Sequence, residues 1–518
     1  MPKQFESELE LRNKILQGAN TLADNVASTM GPRGRNVIIH NKGGRPVITK
    51  DGVTVAKNVE LEDPFENLGA QVIKQASEKT NADAGDGTTT ATVLSRAMLQ
   101  AAQKYIAAGL SPVELKRGMD KAVEIIVEKL KESARPVRSK EDIEAIARVS
   151  ADGDKTISSM IATAVDLVGK DGSITIEDSR SVETSLDIRE GFRFNSGFAS
   201  PRFINDEVRG VVKFDNPFIF VTDYKLEVAK DIQSIMEQAV RANRPLIIVS
   251  EDISPNALST LIVNAVRGTI KIAAVKAPRY GNERRNILQD LAIATGANFV
   301  TRESGQRLDQ VKLTDLGTAR TVEVSKFSTV VVDGNGEPEA IDNRINSLKE
   351  EIEETDNLNE CEKLQERIGR LASGIAVINV GASTEVEAIE KKHRIIDALS
   401  AVKAAQLEGI VAGGGSTLAK IVDDLDVEVS NEEQQMGVKI VKVAAQVPLR
   451  QMAINAGESP DLILDEVRKS GFIGYDFSKR KVVDLLEEGV IDPVKVTRCA
   501  LQNATSAAST LITTNHAI

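Results

Sequence analysis

The spacing of apolar positions along this chain changes twice. Over roughly the first 130 residues they recur every three or four positions, the period of a helix with one buried face. FESELELRNKILQGANTLADNVASTMG reads this way and stops at Gly31. FENLGAQVIKQASEKTNADAG, TTTATVLSRAMLQAAQKYIAAG and SPVELKRGMDKAVEIIVEKLKE follow, the last opening on Ser111-Pro112, a good N-cap and first turn. Among them, RNVIIHNKGGRPVITKDGVTVAKNV breaks into short β-like runs divided by Gly-Gly and Asp-Gly turns. The centre has another rhythm. PFIFV (217–221), PLIIVS (245–250), IKIAAV (270–275) and ANFV (297–300) are short apolar runs, separated by the helix-periodic LEVAKDIQSIMEQAVRAN, NALSTLIVNAVRG and ERRNILQDLAIATG. Strands alternating with helices predict a parallel sheet covered by helices, a domain of its own. Residues 343–372 read as two charge-laced helices broken at TDNLN, with a solvated face expected. From residue 406 the long-helix pattern returns. The two end thirds thus look alike, with an αβ domain inserted between them.

Composition narrows this picture. A chain of 518 residues exceeds one hydrophobic core. Its 41% apolar and 27% charged residues suit a soluble globular protein, and a net charge of −11 argues against a nucleic-acid partner. No apolar run is long enough for a bilayer, so no membrane is expected. The start, MPKQFESELELRNKILQGAN, reads as neither signal nor transit peptide, and a cytoplasmic location is expected. Cys361 and Cys499 offer no disulfide framework, and His40, His393 and His516 no metal spacing.

Four glycine-rich spots could carry chemistry: TMGPRGRN (29–36), TKDGVT (49–54), AGDGTTTA (84–91) and VAGGGST (411–417). Singly, each has a structural reading: a turn after a helix, an Asp-Gly hairpin turn, a helix cap by Asp86 and Thr88, a flexible helix start. Together they also suit phosphate. Glycines let backbone N–H groups approach anionic oxygens, and a helix N-terminus adds about half a positive charge. A lone aspartate between glycines suits Mg²⁺, which keeps waters and phosphate oxygens. There is no Gly-x-x-x-x-Gly-Lys-[Ser/Thr] P-loop and no Gly-x-Gly-x-x-Gly after any strand.

The order of TMGPRGRNVII, ITKDGVTVAKNVELEDPFENLGAQ, AGDGTTTATVL, SPVELKRGMDKAV, KAPRYGNERR, KLQERIGRLASGIAVINVGA, TEVEAIEKKHRIIDAL, EGIVAGGGSTL and IDPVKVTRCALQNA resembles the group I chaperonins, the Cpn60 family. The resemblance runs from about residue 6 to residue 513. It implies a multidomain α and α/β chaperonin fold: a mostly helical equatorial domain (1–132 and 406–518), a small intermediate hinge domain (133–188 and 374–405) and an inserted apical α/β domain (189–373). It further implies an ATPase that drives protein folding, with ATP, Mg²⁺ and K⁺. Asp86 would hold Mg²⁺, while Gly87, Thr88, Thr89 and Thr90 wrap the phosphates. Thr29, Met30, Gly31 and Pro32 would line the nucleotide, with Lys50 nearby; Thr29 and Lys50 would offer backbone oxygens to K⁺. Gly414 would meet the ribose, Asp492 its hydroxyls, and Asp476 the adenine. Asp397 would position or activate the attacking water, assisted by Asp51. Unfolded clients would be gripped by Phe198, Phe203, Met236, Leu258, Ile262 and Val263, and the assembly would be a seven-membered ring with a co-chaperonin lid as a further partner.

Departures from the family pattern bear on these expectations. Arg202 and Gln233 stand where the client surface is usually apolar, and Asp476 replaces an asparagine. Ser459 replaces the carboxylate that usually meets Arg450 across the ring–ring contact, although Glu458 is adjacent, and the chain stops at ITTNHAI without a Gly-Gly-Met tail. A single and a double ring both stay open. So does a chaperonin-fold scaffold that no longer needs hydrolysis, although Asp51, Asp86 and Asp397 are all present. A small-molecule ATP-dependent enzyme would need a second polar pocket, and the sequence offers none.

Overall fold

The structure, a computed structural model, describes residues 5–40, 46–169, 174–179, 181–207, 209–228, 230–355, 358–372, 374–469 and 473–517. The Gly-Gly turn at 43–44 lies outside them. The chain separates into two compact units, Met1–Thr163 with Ser179–Glu183 and Val380–Ile518, and Ala164–Asp178 with Thr184–Asn379.

The first unit is helical, and its helices start where the chain supplies caps. Asp63 accepts from the backbone N–H groups of Phe65 (2.8 Å) and Glu66 (3.1 Å) and opens Pro64–Ala84. Ser139 and Asp142 form a reciprocal capping box at the start of Lys140–Ser150. Distant segments share one core: Leu11 and Leu22 from Glu8–Ala27, Ile73, Leu94 and Met98 from the next two long helices, Met119 and Ile126 from Pro112–Glu132, and Ile440, Leu501 and Ala504 from the far end of the chain. The last long helix, Val494–Thr513, packs on Pro64–Ala84, Thr88–Ala107 and Pro112–Glu132. Small side chains allow the approach, and Asn503 Nδ2 donates to Thr80 Oγ1 at 3.0 Å inside the contact. Pro112–Glu132 crosses Glu432–Ala444 still more tightly. A Cβ on Gly118 would lie 1.9 Å from the Gln434 carbonyl oxygen, and one on Gly437 would lie 2.2 Å from that of Leu115. The chain ends meet as well, Glu6 pairing with Ala517 and Ser7 with His516.

The second unit is built on a sheet of nine described strands. Three of the apolar runs predicted to be strands form its parallel part: Phe218–Val221 beside Leu246–Ser250 beside Ile272–Lys276. The fourth, ANFV, contributes only a bridge from Val300 to Thr222. The intervening helices are Lys230–Arg241, Pro255–Val266 and Gly281–Thr295. An antiparallel part, not anticipated from the sequence, continues the sheet through Gly317–Val324, Thr329–Gly334, Ser185–Phe194 and Gly374–Val380.

The charge-laced pair, Pro338–Glu354 and Leu358–Ala372, is not solvated on every face. Each helix turns one arginine onto Asp290, which is only 1% exposed. Arg367 binds it through Nε (2.7 Å) and Nη2 (2.8 Å), and Arg344 through Nε (3.1 Å). A buried carboxylate between two guanidinium groups is stable only while all three remain, because removing one leaves charge without water or partner. Asp290→Ala should therefore lower the unfolding free energy by about 3–5 kcal/mol, read from urea denaturation of the full chain, whereas a solvated-face residue such as Glu350 should tolerate the same change.

Candidate functional site

Two left-handed glycines bracket Asp86. Gly85 (φ 74°) ends Pro64–Ala84, and Gly87 (φ 87°) caps Thr88–Ala107 through its backbone alone. The expected side-chain cap by Asp86 and Thr88 is not what forms. Asp86 Oδ1 instead accepts from the Gly87 N–H at 2.5 Å, and Thr88 is the first helical residue. A side chain at position 87 would meet Val496 Cγ1 at 2.7 Å, so the N-terminus of the Thr88 helix stays bare.

The Asp51-Gly52 pair is also not a hairpin turn. Val37–Ile39 and Val47–Thr49 form the hairpin, and Asp51 then starts a short helix, Gly52–Asn58. Its carboxylate accepts from Val53 N (3.0 Å), Thr54 N (3.0 Å) and Thr54 Oγ1 (2.6 Å), which outweighs the strand preference of Val-Thr-Val. This turn lies against the start of the Thr88 helix: a Cβ on Gly52 would sit 2.3 Å from Thr89 Oγ1.

Around these two turns lies a cavity of about 660 Å³, in the size range of small-molecule sites. Thr29, Met30, Gly31, Pro32, Lys50, Asp51, Asp86, Gly87, Thr88, Thr89, Thr90, Asp397, Gly414, Asp476 and Asp492 all line it. Seven separate stretches of the sequence thus meet at one place within the first unit. The 27–30 turn is held by Asn455 Nδ2, which donates to the Ala27 (2.8 Å) and Met30 (2.9 Å) carbonyls. Asp397 comes from the long helix Glu385–Glu408, and Asp492 from the strand Ile491–Pro493. Gly413 leaves room for the latter, since a Cβ there would fall 2.9 Å from Asp492 Oδ1.

Electrostatics mark this cavity more than shape does. Burial raises the Asp86 carboxyl above its ordinary range, and the charges of Asp51 and Asp152 add to the shift against the Gly87 and Ser150 hydrogen bonds. Asp397 is raised well above its usual value by burial and by the charges of Asp51, Asp86 and Asp152. Burial, with a contribution from Asp86, pushes Asp492 up to about 6. Crowded carboxylates that resist ionising are a donor set waiting for positive charge. No cluster of three or more acidic, His or Cys ligands forms a metal cage among the described residues. The set therefore fits Mg²⁺ arriving with phosphate oxygens better than a resident ion.

Sequence reading missed the loop SADGD (150–154). Ser150 Oγ donates to Asp86 Oδ2 at 3.0 Å, Asp152 pairs with Lys50 at 2.6 Å, and Asp154 lies 3.6 Å from Arg394. Its Asp-Gly step was a signal of the same kind as the four glycine-rich spots. The buried rings of Tyr475 and Phe477, 4.9 Å apart, form another missed wall. Between them Asp476 closes its own turn, Oδ1 accepting from Ser478 N (2.8 Å) and Lys479 N (3.2 Å). An asparagine oxygen would serve that turn equally, so the substitution acts through the second oxygen, which lies 3.9 Å from Lys479 Nζ.

The residues implied for client binding lie in the second unit. Phe203 is 4% exposed and belongs to the core, whereas Phe198, Met236, Leu258 and Ile262 are half-buried against it and Val263 is 44% exposed. Arg202 and Gln233 are exposed. Elsewhere, Arg450 pairs with Asp461 of its own chain at 2.6 Å, and Glu458 lies 3.6 Å from Arg480.

Comparison with known proteins agrees with this architecture. A chaperonin, gp146 from bacteriophage EL (Pseudomonas aeruginosa), crystallised in the presence of ATP-BeFx, superimposes with a TM-score of 0.64 over 100% of this chain and 99% of its own, at 21% identity. The fold is that of the chaperonins. Residues 22–518 match the TCP-1/cpn60 chaperonin family, and the chain belongs to that family of protein-folding chaperones.

One property of the site follows from its charge alone. The folded chain keeps a proton on Asp492 up to about pH 6, while an ordinary aspartate releases it near 3.8. Stability is therefore lost as pH rises from about 4 to about 6, because the folded state binds the extra proton. Asp492→Asn should remove its share of that slope, making it shallower, and leave the chain more stable than wild type at pH 7, read from urea midpoints across this window.

Proposed function

We propose that this chain is an ATP-driven folding chaperonin that hydrolyses ATP in the cavity of the first unit and captures unfolded proteins on the second. One observation carries the hydrolytic part: Asp51, Asp86 and Asp397 converge on a single cavity at the bare N-terminus of the Thr88 helix. Three carboxylates gathered there oppose folding through mutual repulsion. A scaffold with no use for hydrolysis would gain by losing one of them.

In this reading the Thr88 helix N-terminus and the Thr88, Thr89 and Thr90 hydroxyls bind the phosphates. Asp86 would hold Mg²⁺, which when bound supplies charge neutralisation for the phosphoryl oxygens. The Thr29 and Lys50 carbonyls would be offered to K⁺. Gly414 and Asp492 would face the ribose, with Asp476 at the base. Burial and the charges of Asp51, Asp86 and Asp152 hold the Asp397 carboxyl above its usual range, and neutralising that acidic charge would let it ionise more readily and serve as a base. It would then take the proton of a water attacking in line, with Asp51 orienting that water. Phosphoryl transfer of this kind depends mostly on positioning and charge stabilisation.

On the second unit, the outer edges of Phe198, Met236, Leu258, Ile262 and Val263 would grip exposed apolar segments of clients. Copies of the chain would form a seven-membered ring, single or double, with a separate lid protein as a further partner. The equatorial, intermediate and apical division (1–132 with 406–518, 133–188 with 374–405, and 189–373) belongs to the same proposal. The two cysteines are unpaired, and no helix of the described residues is long and apolar enough to cross a membrane; we place the protein in the cytoplasm.

Asp397→Ala should reduce ATP turnover by at least about 100-fold while Mg-ATP still binds, whereas Asp86→Ala should weaken Mg-ATP binding itself. Turnover by single-cycle hydrolysis and affinity by equilibrium titration separate the two, and normal hydrolysis by the Asp397 variant would sink the assignment. Gln233→Leu should increase capture of an acid-unfolded client protein, measured by suppression of its aggregation.

A further inference from the structure

Among the cations lining the cavity, Lys50 and Arg394 both meet a carboxylate of the Ser150–Asp154 loop, Lys50 the more closely. Arg148 pairs with Glu144 (2.8 Å) and Arg394 with Glu390 (2.6 Å), each four residues away on its own helix. Lys50 is held by a residue 102 positions away, its Nζ 2.6 Å from Asp152 Oδ1, with side chains 17% and 36% exposed. Asp152 reaches it from a left-handed backbone, φ 55°, followed by Gly153 at φ 85°. This backbone closes the end of the Lys140–Ser150 helix, Gly153 N–H donating to the Arg148 carbonyl at 2.8 Å, and aspartate is among the residues that tolerate it. The same loop places Ser150 Oγ on Asp86.

The pair has a consequence for any anion entering the cavity. Lys50 immediately precedes Asp51, whose turn lies against Thr89 at the start of the Thr88 helix. It is thus a cation beside the position suited to phosphate oxygens. An ammonium with a carboxylate at 2.6 Å already has a charged acceptor of the kind a phosphate oxygen would provide. A polyphosphate that draws on Lys50 must share it with Asp152 or displace it, and it must do so in a cavity where Asp51 and Asp86 already repel it.

Resting on the nucleotide reading above, we propose that Asp152 is a built-in competitor for the nucleotide's phosphates, holding Lys50 until a triphosphate takes it over. The device tunes affinity and has no part in the bond-breaking step. A half-exposed pair contributes at most about 1 kcal/mol, so its removal changes affinity by about fivefold or less.

The test uses the full-length protein and Mg-ATP as the probe. Asp152→Asn should tighten Mg-ATP binding about two- to fivefold, lowering KM with kcat unchanged. The same change in a Lys50→Met background should have no effect. Asp152→Gly, which suits the left-handed backbone and lacks the carboxylate, should reproduce the tightening and decides the question if the asparagine variant folds poorly. Weaker binding in both Asp152 variants would overturn the proposal, since it would mean that Asp152 only shapes the site. Tightening that persists without Lys50 would also overturn it, assigning the effect to general charge relief. A folded wild type that fails to bind Mg-ATP would bring down the nucleotide reading together with this one, whereas normal wild-type binding with unchanged variants would bring down this one alone.

Discussion

The cavity exists because Val494–Thr513 packs on Pro64–Ala84, Thr88–Ala107 and Pro112–Glu132. That contact joins segments some 400 positions apart, and its loop-closure cost must be met by a large apolar interface. Alanine and leucine positions along the last helix, with the Asn503–Thr80 hydrogen bond between them, meet that cost. Once the interface forms, Val496 stands over Gly87 and Asp492 stands beside Gly413. A wall from the end of the chain is thereby fixed against turns from its beginning. The left-handed glycines have their value in this setting, because Gly87 without a Cβ leaves space for Val496 of the closing helix and Gly85 leaves space for Ser400 of Glu385–Glu408.

Within that frame the acids and the helix terminus work together. A bare helix N-terminus attracts negative charge, and the chain places Asp86, Asp51 and Asp397 around it. Two of them are partly satisfied at home, Asp51 by its helix cap and Asp86 by Gly87 and Ser150. Asp397 owes its raised carboxyl to burial and to its acidic neighbours. It is thus the group most sensitive to a change in the charge held by the cavity. Such a site is poor at binding a naked anion and suited to an anion that carries its own cation.

Much of this was legible in the sequence, for identifiable reasons. Helices with strong period and good caps, such as Pro64–Ala84, fell where expected, and so did the parallel strands, whose apolar runs are bounded by helices. The four glycine-rich stretches were singled out from their residues, but Asp397, Asp476 and Asp492 and the roles of all fifteen came from resemblance, since no local pattern says that Thr29 and Asp397 meet. What stayed hidden depended on local competition or on distance. Val-Thr-Val reads as strand until Asp51 caps it into a helix. The antiparallel half of the sheet is mixed in polarity, as in GTARTVEV, where Glu323 is buried only because Arg209 binds it. Arg344 and Arg367 look like solvent-facing charges until Asp290 is known to lie beneath them. The Ser150–Asp154 loop resembles any Asp-Gly turn, and only the fold brings it to Lys50 and Asp86.

The polar substitutions on the second unit can be read against its core. Ile232, Ile235, Ala257 and Leu261 are buried and supply what the Lys230–Arg241 and Pro255–Val266 helices need to pack on the sheet. Gln233 and Arg202 lie outside that set, exposed to solvent, and Gln233 donates to Glu237 one turn along its helix. Neither position is required to be apolar or polar for folding. Their polarity can therefore alter only what approaches from outside, beside the half-buried edges of Met236, Leu258 and Ile262. A surface with fewer apolar contacts holds an unfolded chain less tightly and releases it more readily. On the client-binding reading proposed above, the two departures would weaken client capture and leave the fold beneath them unchanged.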